Sequence, residues 1–426
     1  MRRNMATLAG MGMIAAVAFA GDASADTLNQ LTSVQIVGNV PFDYQLQTAR
    51  KLGVRRVRLA AYWSAVEKPR GRFIWRSTDA RIGAVLKAGM APIIVLHGAN
   101  DGYPSPDGGK AAPPSQGEAL EGFARFAGAT AARYGVGRPV MPILYEIWNE
   151  PNTKTFWKRI PDPEGYARMA EAACKAIKAS TPQARVLALG MEGWPVKAPY
   201  RVAAYNIDIY QQWAARAASP GLMACADGIS FHPYLPRPEQ VLQGEPRLHA
   251  YLARVWQRAI PPLLANTEWG YQINAGKGVD ASMQAALDLR ALLIGTGLGR
   301  VTNIYQSVDG GRDATKPDQT YGLVTAEGTF KPAGLAIQRL LRMIGDYAID
   351  GVGPIAGQPD LYSFTAHRGA ARAQIVWTGR SGGTTATMAL PKGSVATDLV
   401  TGAPAERNGD MVSVGARPVL LLSGAA

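Results

Sequence analysis

Between Ser33 and Ile344 the chain passes eight times from a short apolar run to an amphipathic stretch, and few folds absorb that many copies of one unit. The apolar runs are SVQIVG (33–38), VRRVRLA (54–60), APIIVLHG (91–98), MPILYEIWNE (141–150), RVLALG (185–190), DGISFHPY (227–234), PLLANTEWG (262–270) and VTNIYQ (301–306). Residues with helical period follow them, near 43–52, 78–88, 116–134, 163–179, 200–217, 245–258, 281–296 and 332–344. Ser115 with Glu118 has the spacing of a capping box, and Asp162 before Pro163 places a cap at the first turn of the fourth helix. Parallel strands need a crossover of this kind, and eight of them close most economically on themselves. The pattern predicts an α/β fold, a (β/α)8 TIM barrel, over residues 26–345.

The texture changes after about residue 346. DLYSFTAH, ARAQIVWTG, TTATMAL, ATDLVT and RPVLLLSG are short β-rich runs separated by Gly, Pro, Asn and Asp, which predicts a small β-sandwich over 346–426. Trp377 and Tyr362 read as core of that unit, with a glycan-facing role as the alternative. At the other end, Arg2 and Arg3, an apolar run from Ala6 to Ala20 and the triplet Ala23-Ser24-Ala25 describe a secretory leader over residues 1–25. Cleavage is expected after Ala25, with Ala18-Phe19-Ala20 offering an earlier site. The run is short and rich in Gly and Ala, so no stable membrane span is expected after cleavage. The expected location is the periplasm or the exterior.

Of the two cysteines, Cys174 lies on an apolar helical face with Tyr166, Ala170 and Ile177. A buried free thiol is the favoured reading there, and a disulfide to Cys225 is the alternative. The formal net charge is +13, or +12 once Arg2, Arg3 and Asp22 leave with the leader. That balance favours anionic partners, an acidic polysaccharide among them. No run concentrates the charge, so nucleic-acid binding gains no support. His and Cys nowhere take metal spacing, and no Gly-rich phosphate loop follows the first run, so neither metal nor cofactor is expected.

A barrel of this class does its chemistry at the C-terminal ends of its strands. The polar residues collected there are Arg58, His97, Asn149, Glu150, His232, Tyr234, Glu268, Trp269, Tyr305 and Gln306. Glu146, Trp148 and Glu150 alternate along the fourth run, so all three are expected on one face. Glu146, the deeper acid, is expected to be neutralised by an inner arginine, Arg56 or Arg58. Glu150 and Glu268 end the fourth and seventh strands, across the mouth from each other. Two carboxylates so placed suit cleavage of a glycosidic bond, which needs a proton at the leaving oxygen and a carboxylate at the anomeric carbon.

WNEPN at 148–152, TEWG at 267–270, VRL at 57–59 and FHPY at 231–234 resemble the retaining glycoside hydrolases of clan A, with family 39 and related bacterial exopolysaccharide hydrolases the nearest in pattern. The segments 63–79 and 321–340 extend the resemblance across the barrel. It implies Glu150 as acid/base and Glu268 as nucleophile. It also implies Asn149 on the sugar 2-hydroxyl, Arg58 beneath the nucleophile, and His232 and Tyr234 positioning nucleophile and sugar. Members often carry a Trp near the end of the eighth strand as a sugar platform, where this chain has Tyr305 and Gln306. His97 reads as a structural or sugar-contacting residue, and Trp63, Trp157, Trp194 and Trp269 as stacking surfaces or core.

The expected activity is that of a retaining β-glycosidase, endo-acting on a polysaccharide and monomeric. Long loops at 99–114, 152–161 and 235–244 fit a cleft for several sugars. An exo-acting xylosidase- or glucuronidase-like enzyme on oligosaccharides, or a glycan-binding accessory protein without turnover, are the alternatives.

Overall fold

The computed structural model describes residues 26–104, 112–194, 207–273, 278–379 and 385–424. The leader assigned to residues 1–25 lies outside them, as does much of the segment after the third strand.

Eight parallel strands form the barrel: β1 (Thr32–Gln35), β2 (Arg56–Tyr62), β3 (Ala91–His97), β4 (Leu144–Ile147), β5 (Arg185–Glu192), β6 (Gly228–His232), β7 (Leu263–Trp269) and β8 (Val301–Ile304). Each pairs with its neighbours in sequence and β8 returns to β1, so the sheet has no edge. Among the described residues the eight longer helices surround it: α1 (Phe42–Leu52), α2 (Arg76–Lys87), α3 (Gly117–Tyr134), α4 (Pro163–Ser180), α5 (Ile207–Ala217), α6 (Gln240–Val255), α7 (Ala281–Gly297) and α8 (Pro332–Ile344). Asp162 caps α4 by accepting from the Gly165 amide at 2.9 Å, with Pro163 in the first turn. Among the described residues no helix is long and apolar enough to cross a membrane.

The barrel interior divides into two levels. Near the strand starts Ile93, Leu144, Leu187, Ala265 and Val301 meet Leu31 in an apolar floor. Above them the interior turns polar, and Ser33, Arg58, Glu146, Ser230, Thr267 and Asn303 are all buried. Polar groups withdrawn from water must bond one another, and Ser33 donates to Asn303 at 2.7 Å, as Ser230 does to Glu146.

The unit after α8 packs a five-stranded antiparallel sheet against a three-stranded one. The larger holds β9 (Ala348–Ile355), β10 (Gln358–Arg368), β11 (Ala371–Thr378), β13 (Val395–Asp398) and β16 (Val419–Ser423); the smaller holds β12 (Ala386–Ala389), β14 (Arg407–Asn408) and β15 (Met411–Val414). Val376, Val412, Val414, Val419 and Leu421 fill the space between the sheets. Tyr362 and Trp377 stack at 6.0 Å and are buried, so they serve packing.

Four local expectations are corrected. β4 ends at Ile147, and Trp148 takes φ 70°, which breaks the alternation. The Trp148 ring turns outward to His97 at 4.6 Å and to Phe123 and Trp157 at 5.8 Å, while Glu146 points into the barrel. The capping box at Ser115 does not form; Gln116 holds the N-cap position of α3 without a side-chain capping bond, and Glu118 pairs with Arg70 at 2.7 Å instead. The helix after β6 begins at Gln240, which shortens the 235–244 loop. Cys174 is not a free thiol: the face of α4 that carries it packs on the short helix Pro220–Cys225, and a disulfide joins Cys174 to Cys225.

The two units share one core. α7 is buried on nearly every side, wedged between the barrel and β9 and β10, and a Cβ on Gly297 would stand 2.5 Å from Val352. At the same junction Arg290 grips Glu239 at 2.6 and 2.7 Å, and the Trp377 indole donates to Glu239 at 2.8 Å. Removing one partner from a buried charged network costs several kcal/mol. Deletion of residues 346–426 is therefore expected to give an insoluble chain or one without a cooperative melt. A soluble truncation whose circular dichroism melt matches that of the full chain would contradict the shared core.

Candidate active site

Arg58, pointing inward from β2, organises the mouth of the barrel. It is 2% exposed, and its donors fan out: Nε to Glu146 at 2.7 Å, Nη1 to Gln35 at 3.0 Å and Glu268 at 2.9 Å, and Nη2 to the Asn149 side-chain oxygen at 2.7 Å. Nη2 also faces His232 Nε2 at 3.5 Å. A planar guanidinium can serve that many acceptors at once, which a lysine cannot. Glu146 accepts further bonds from Ser230 at 2.7 Å and Thr267 at 2.5 Å. Burial acts to raise its pKa, but Arg58 and the two hydroxyls hold it below the ordinary carboxylate value.

Glu150 and Glu268 face each other over this base. One oxygen of each, with a ring nitrogen of His232, all lie within 4.8 Å of one another. Retaining glycosidases hold their carboxyl groups about 5–5.5 Å apart, and inverting ones about 6.5–9.5 Å. The same three groups have the spacing of a metal cluster, but Arg58 already occupies Glu268 and the His232 nitrogen points at Glu150, so the donors satisfy one another.

The two carboxylates have unequal surroundings. Burial raises Glu150 to a pKa of about 7, with the charge of Arg58 opposing and that of Glu146 adding. Its bonded neighbour is His232, whose Nδ1 lies 2.7 Å from Oε1. Burial pulls His232 down to about 4, so its ring is neutral at ordinary pH. The guanidinium can only donate, which leaves Nε2 as the acceptor and puts the ring proton on Nδ1, directed at Glu150. Burial also raises Glu268, but two fixed donors oppose it, Arg58 at 2.9 Å and the Tyr234 hydroxyl at 2.7 Å. The Tyr234 phenol is itself pushed far up by burial, so it keeps its proton and remains a donor.

The backbone here is bent into uncommon conformations. Trp148, Glu150, Leu189 and Tyr234 have φ of 70°, 43°, 74° and 37°. Such positions cost about 1–3 kcal/mol each and persist only where their surroundings enforce them. The Glu150 amide donates to Gly190 at 2.7 Å, and Asn152 exchanges two bonds with the Glu192 backbone at 2.8 and 2.9 Å. Gly190, at φ 47°, has no room for a side chain, since a Cβ would meet the Trp148 carbonyl at 3.0 Å.

The structure thus brings Arg58, Asn149, Glu150, His232, Tyr234 and Glu268 together. Tyr305 stands near them through Tyr321, whose ring is 5.4 Å from Tyr305 and 6.1 Å from Tyr234. His97 lies at the rim against Trp148 and is held to a pKa of about 4 by burial and by Arg58. Trp63 and Trp269 are not brought to the surface. Trp63 is 1% exposed, packed on Tyr103 and Phe123 with its indole bonded to Glu67, and Trp269 is wholly buried. Trp157 and Trp194 are core as well. Sequence reasoning passed over Tyr321 and Glu192. Glu192 ends β5, so the strand-end rule applied to that strand would have found it.

An eight-stranded barrel with two facing carboxylates over a buried arginine defines a retaining glycoside hydrolase of clan A. The sequence profile of the cellulase family, glycosyl hydrolase family 5, matches residues 23–291, and the chain belongs to that family. No curated protein matches it by sequence. Among solved structures its fold is similar to a family 39 glycoside hydrolase from the gut symbiont Bacteroides cellulosilyticus WH2, at TM-score 0.71 and 18% identity over 93% of this chain and 81% of that one. It is similar also to a monomeric β-xylosidase from Caulobacter crescentus CB15, at 0.62 and 17% over 94% and 97%. A family 30 endoxylanase from Clostridium papyrosolvens C71 follows at 0.59 and 12% over 95% and 98%.

The Glu150 environment carries a cost to folding. Between its ordinary 4.5 and its folded value of about 7 the native state binds a proton that the unfolded state does not, so stability falls as pH rises through that window. Glu150→Gln is expected to be more stable than wild type at pH 8, by about 3 kcal/mol at most, with the gap closing towards pH 4.5. Urea unfolding at both pH values checks this; a gap that does not change with pH would contradict it.

Proposed function

We propose that Glu150 is the acid/base and Glu268 the nucleophile of a double displacement that cleaves a β-linked polysaccharide internally. The observation that carries this reading is the inequality of two carboxylates within 4.8 Å: one is raised to about 7 beside a neutral imidazole, the other bonded by a guanidinium and a phenol. In the first step a Glu268 oxygen bonds the anomeric carbon as the glycosidic C–O bond breaks, and Glu150 delivers its proton to the departing oxygen. In the second, Glu150 takes a proton from water, the water oxygen bonds the anomeric carbon, and Glu268 leaves as carboxylate. His232, donating to Glu150, is placed to support the ionised state between the steps. Asn149, with its oxygen held by Arg58, has its amide N–H group available for the sugar 2-hydroxyl.

The pattern of residues 1–25 supports export, and so does the Cys174–Cys225 disulfide, since such bonds persist in oxidising compartments. A β-linked backbone is supported by membership of the cellulase family and by the likeness of the fold to a β-xylosidase, an endoxylanase and a bifunctional glucanase-xylanase. The β-xylosidase likeness favours exo action as the second reading.

Azide separates the two carboxylates. On an activated aryl β-glycoside, Glu150→Ala with azide is expected to give the β-glycosyl azide, because the intermediate on Glu268 is intercepted without a base. Glu268→Ala is expected to give the α-azide by one displacement. The same product from both variants, or near wild-type hydrolysis by either, contradicts the assignment. Wild-type digestion of xylan, glucan and mannan is expected to release a ladder of oligomers, and monosaccharide alone would favour exo action.

A further inference from the structure

The floor of the barrel, at the strand starts, carries two clefts of about 610 and 520 Å3 that share Gln30 and Val140 and so open side by side as one groove. Leu144, Leu263 and Val301, which begin β4, β7 and β8, line the second cleft, so the groove lies at the end of the barrel opposite Glu150 and Glu268. Along β7, Leu263 and Glu268 are separated by about 16 Å of strand. The chemistry above makes no use of this face.

Arginines dominate its lining. Arg50, Arg55 and Arg138 line the first cleft, and Arg56, Arg185 and Arg258 the second. Three of them are fixed by backbone carbonyls, which orient a guanidinium without cancelling its charge: Arg56 on Pro142 at 2.8 Å, Arg138 on Gly89, and Arg258 on Ala226 at 2.5 Å and Met223 at 3.3 Å. Among the described residues Arg50, Arg55, Arg56, Arg138 and Arg258 form no ion pair. Three aspartates also line the groove, but Arg368 holds Asp346 at 2.7 Å, and Lys178 and Arg185 hold Asp227 at 2.7 and 3.4 Å. Asp26 alone is left to offset the unpaired arginines. Arg56 shows the consequence: it is buried, and burial lowers its pKa to about 10 with only the charge of Asp26 opposing. A buried cation without a bonded counter-ion is costly, and an anion brought beside it relieves that cost.

Guanidinium groups match carboxylates in shape as well as charge. Beside the arginines, Pro139, Pro142, Pro261 and Pro262 wall the second cleft with rigid apolar surfaces that suit the C–H face of a sugar ring. A lipid surface fits less well. The exposed apolar side chains are single ones, Val140 at 66% and Ile260 at 74%, on a concave face, whereas insertion needs a continuous apolar one. We propose that this groove binds an acidic polysaccharide through the carboxylates of its uronosyl residues, as a holding site apart from the site of cleavage. The proposal does not depend on which carboxylate supplies the proton in the reaction.

Affinity electrophoresis of the full chain, in gels containing polygalacturonate, alginate or neutral dextran, tests this. At low ionic strength wild type is expected to be retarded by a uronate polymer and not by dextran, and the retardation to fade as salt is added. The variant Arg50→Gln/Arg55→Gln and a triple variant with Arg258→Gln added are compared with Arg76→Gln/Arg247→Gln/Arg407→Gln, which removes three exposed charges elsewhere. Circular dichroism melts check that each is folded. The triple floor variant is expected to lose about tenfold in affinity, the double variant less, and the control variant less than about threefold. Arg50 and Arg55 make no side-chain bond among the described residues, so the double variant decides the matter even where the triple variant melts early. Equal losses in floor and control variants overturn the proposal, since net charge alone then explains the binding. Retention by phosphatidylglycerol vesicles without retardation by either uronate polymer also overturns it and makes the face a lipid dock. A wild type that neither uronate polymer retards overturns it too, whatever its activity on aryl glycosides.

Discussion

One buried guanidinium touches most of the polar groups at the mouth of this barrel. Arg58 sits at 2% exposure with carboxylates on two sides, and its Nε and Nη1 bond Glu146 and Glu268 at 2.7 and 2.9 Å. Burying a positive charge is expensive, and Glu146 is the fixed counter-ion that makes Arg58 tolerable there. With that charge offset from below, the remaining donors face upward to Glu268, Asn149 and His232. The tautomer of His232 follows from the same contact, and through it the direction of the proton that reaches Glu150. Loss of Arg58 would therefore release the anion, the asparagine and the imidazole together.

The loops above this base convert it into a site. Glu150 is lifted off the end of β4 by left-handed turns at Trp148 and at Glu150 itself, and these need the bulge of β5 at Leu189 and Gly190 to receive them. The Asn152–Glu192 clamp then fixes the lifted segment to the neighbouring strand. The result places Glu150 in poorly solvated surroundings while Glu268 stays bonded to charged and phenolic donors. Burial raises both side chains, and only Glu268 is bonded by a guanidinium and a phenol that oppose the rise.

The fold was legible because each repeat carries its own period and the number of repeats admits few closures. The two carboxylates, the arginine and the strand-six pair were legible because polar residues at strand ends have few other uses. The aromatic residues were less so, since an indole has the same appearance in sequence whether it packs or stacks on sugar: Trp63 and Trp269 turned out buried. Trp148 misled through a backbone φ of 70°, which no spacing rule anticipates in a tryptophan. Cys174 and Cys225 were ambiguous because helix packing brings them together across 51 residues.

The central claim is that Glu268 is the anion that bonds to sugar while Glu150 carries the proton. Its most direct test is reaction of the wild-type protein with a 2,4-dinitrophenyl 2-deoxy-2-fluoro-β-glycoside, followed by peptide mass mapping. The fluorine slows both steps and the activated leaving group restores the first, so a covalent glycosyl-enzyme should accumulate with its added mass on the peptide that contains Glu268. A label on Glu150, or turnover that releases inverted sugar with no adduct, would contradict the account.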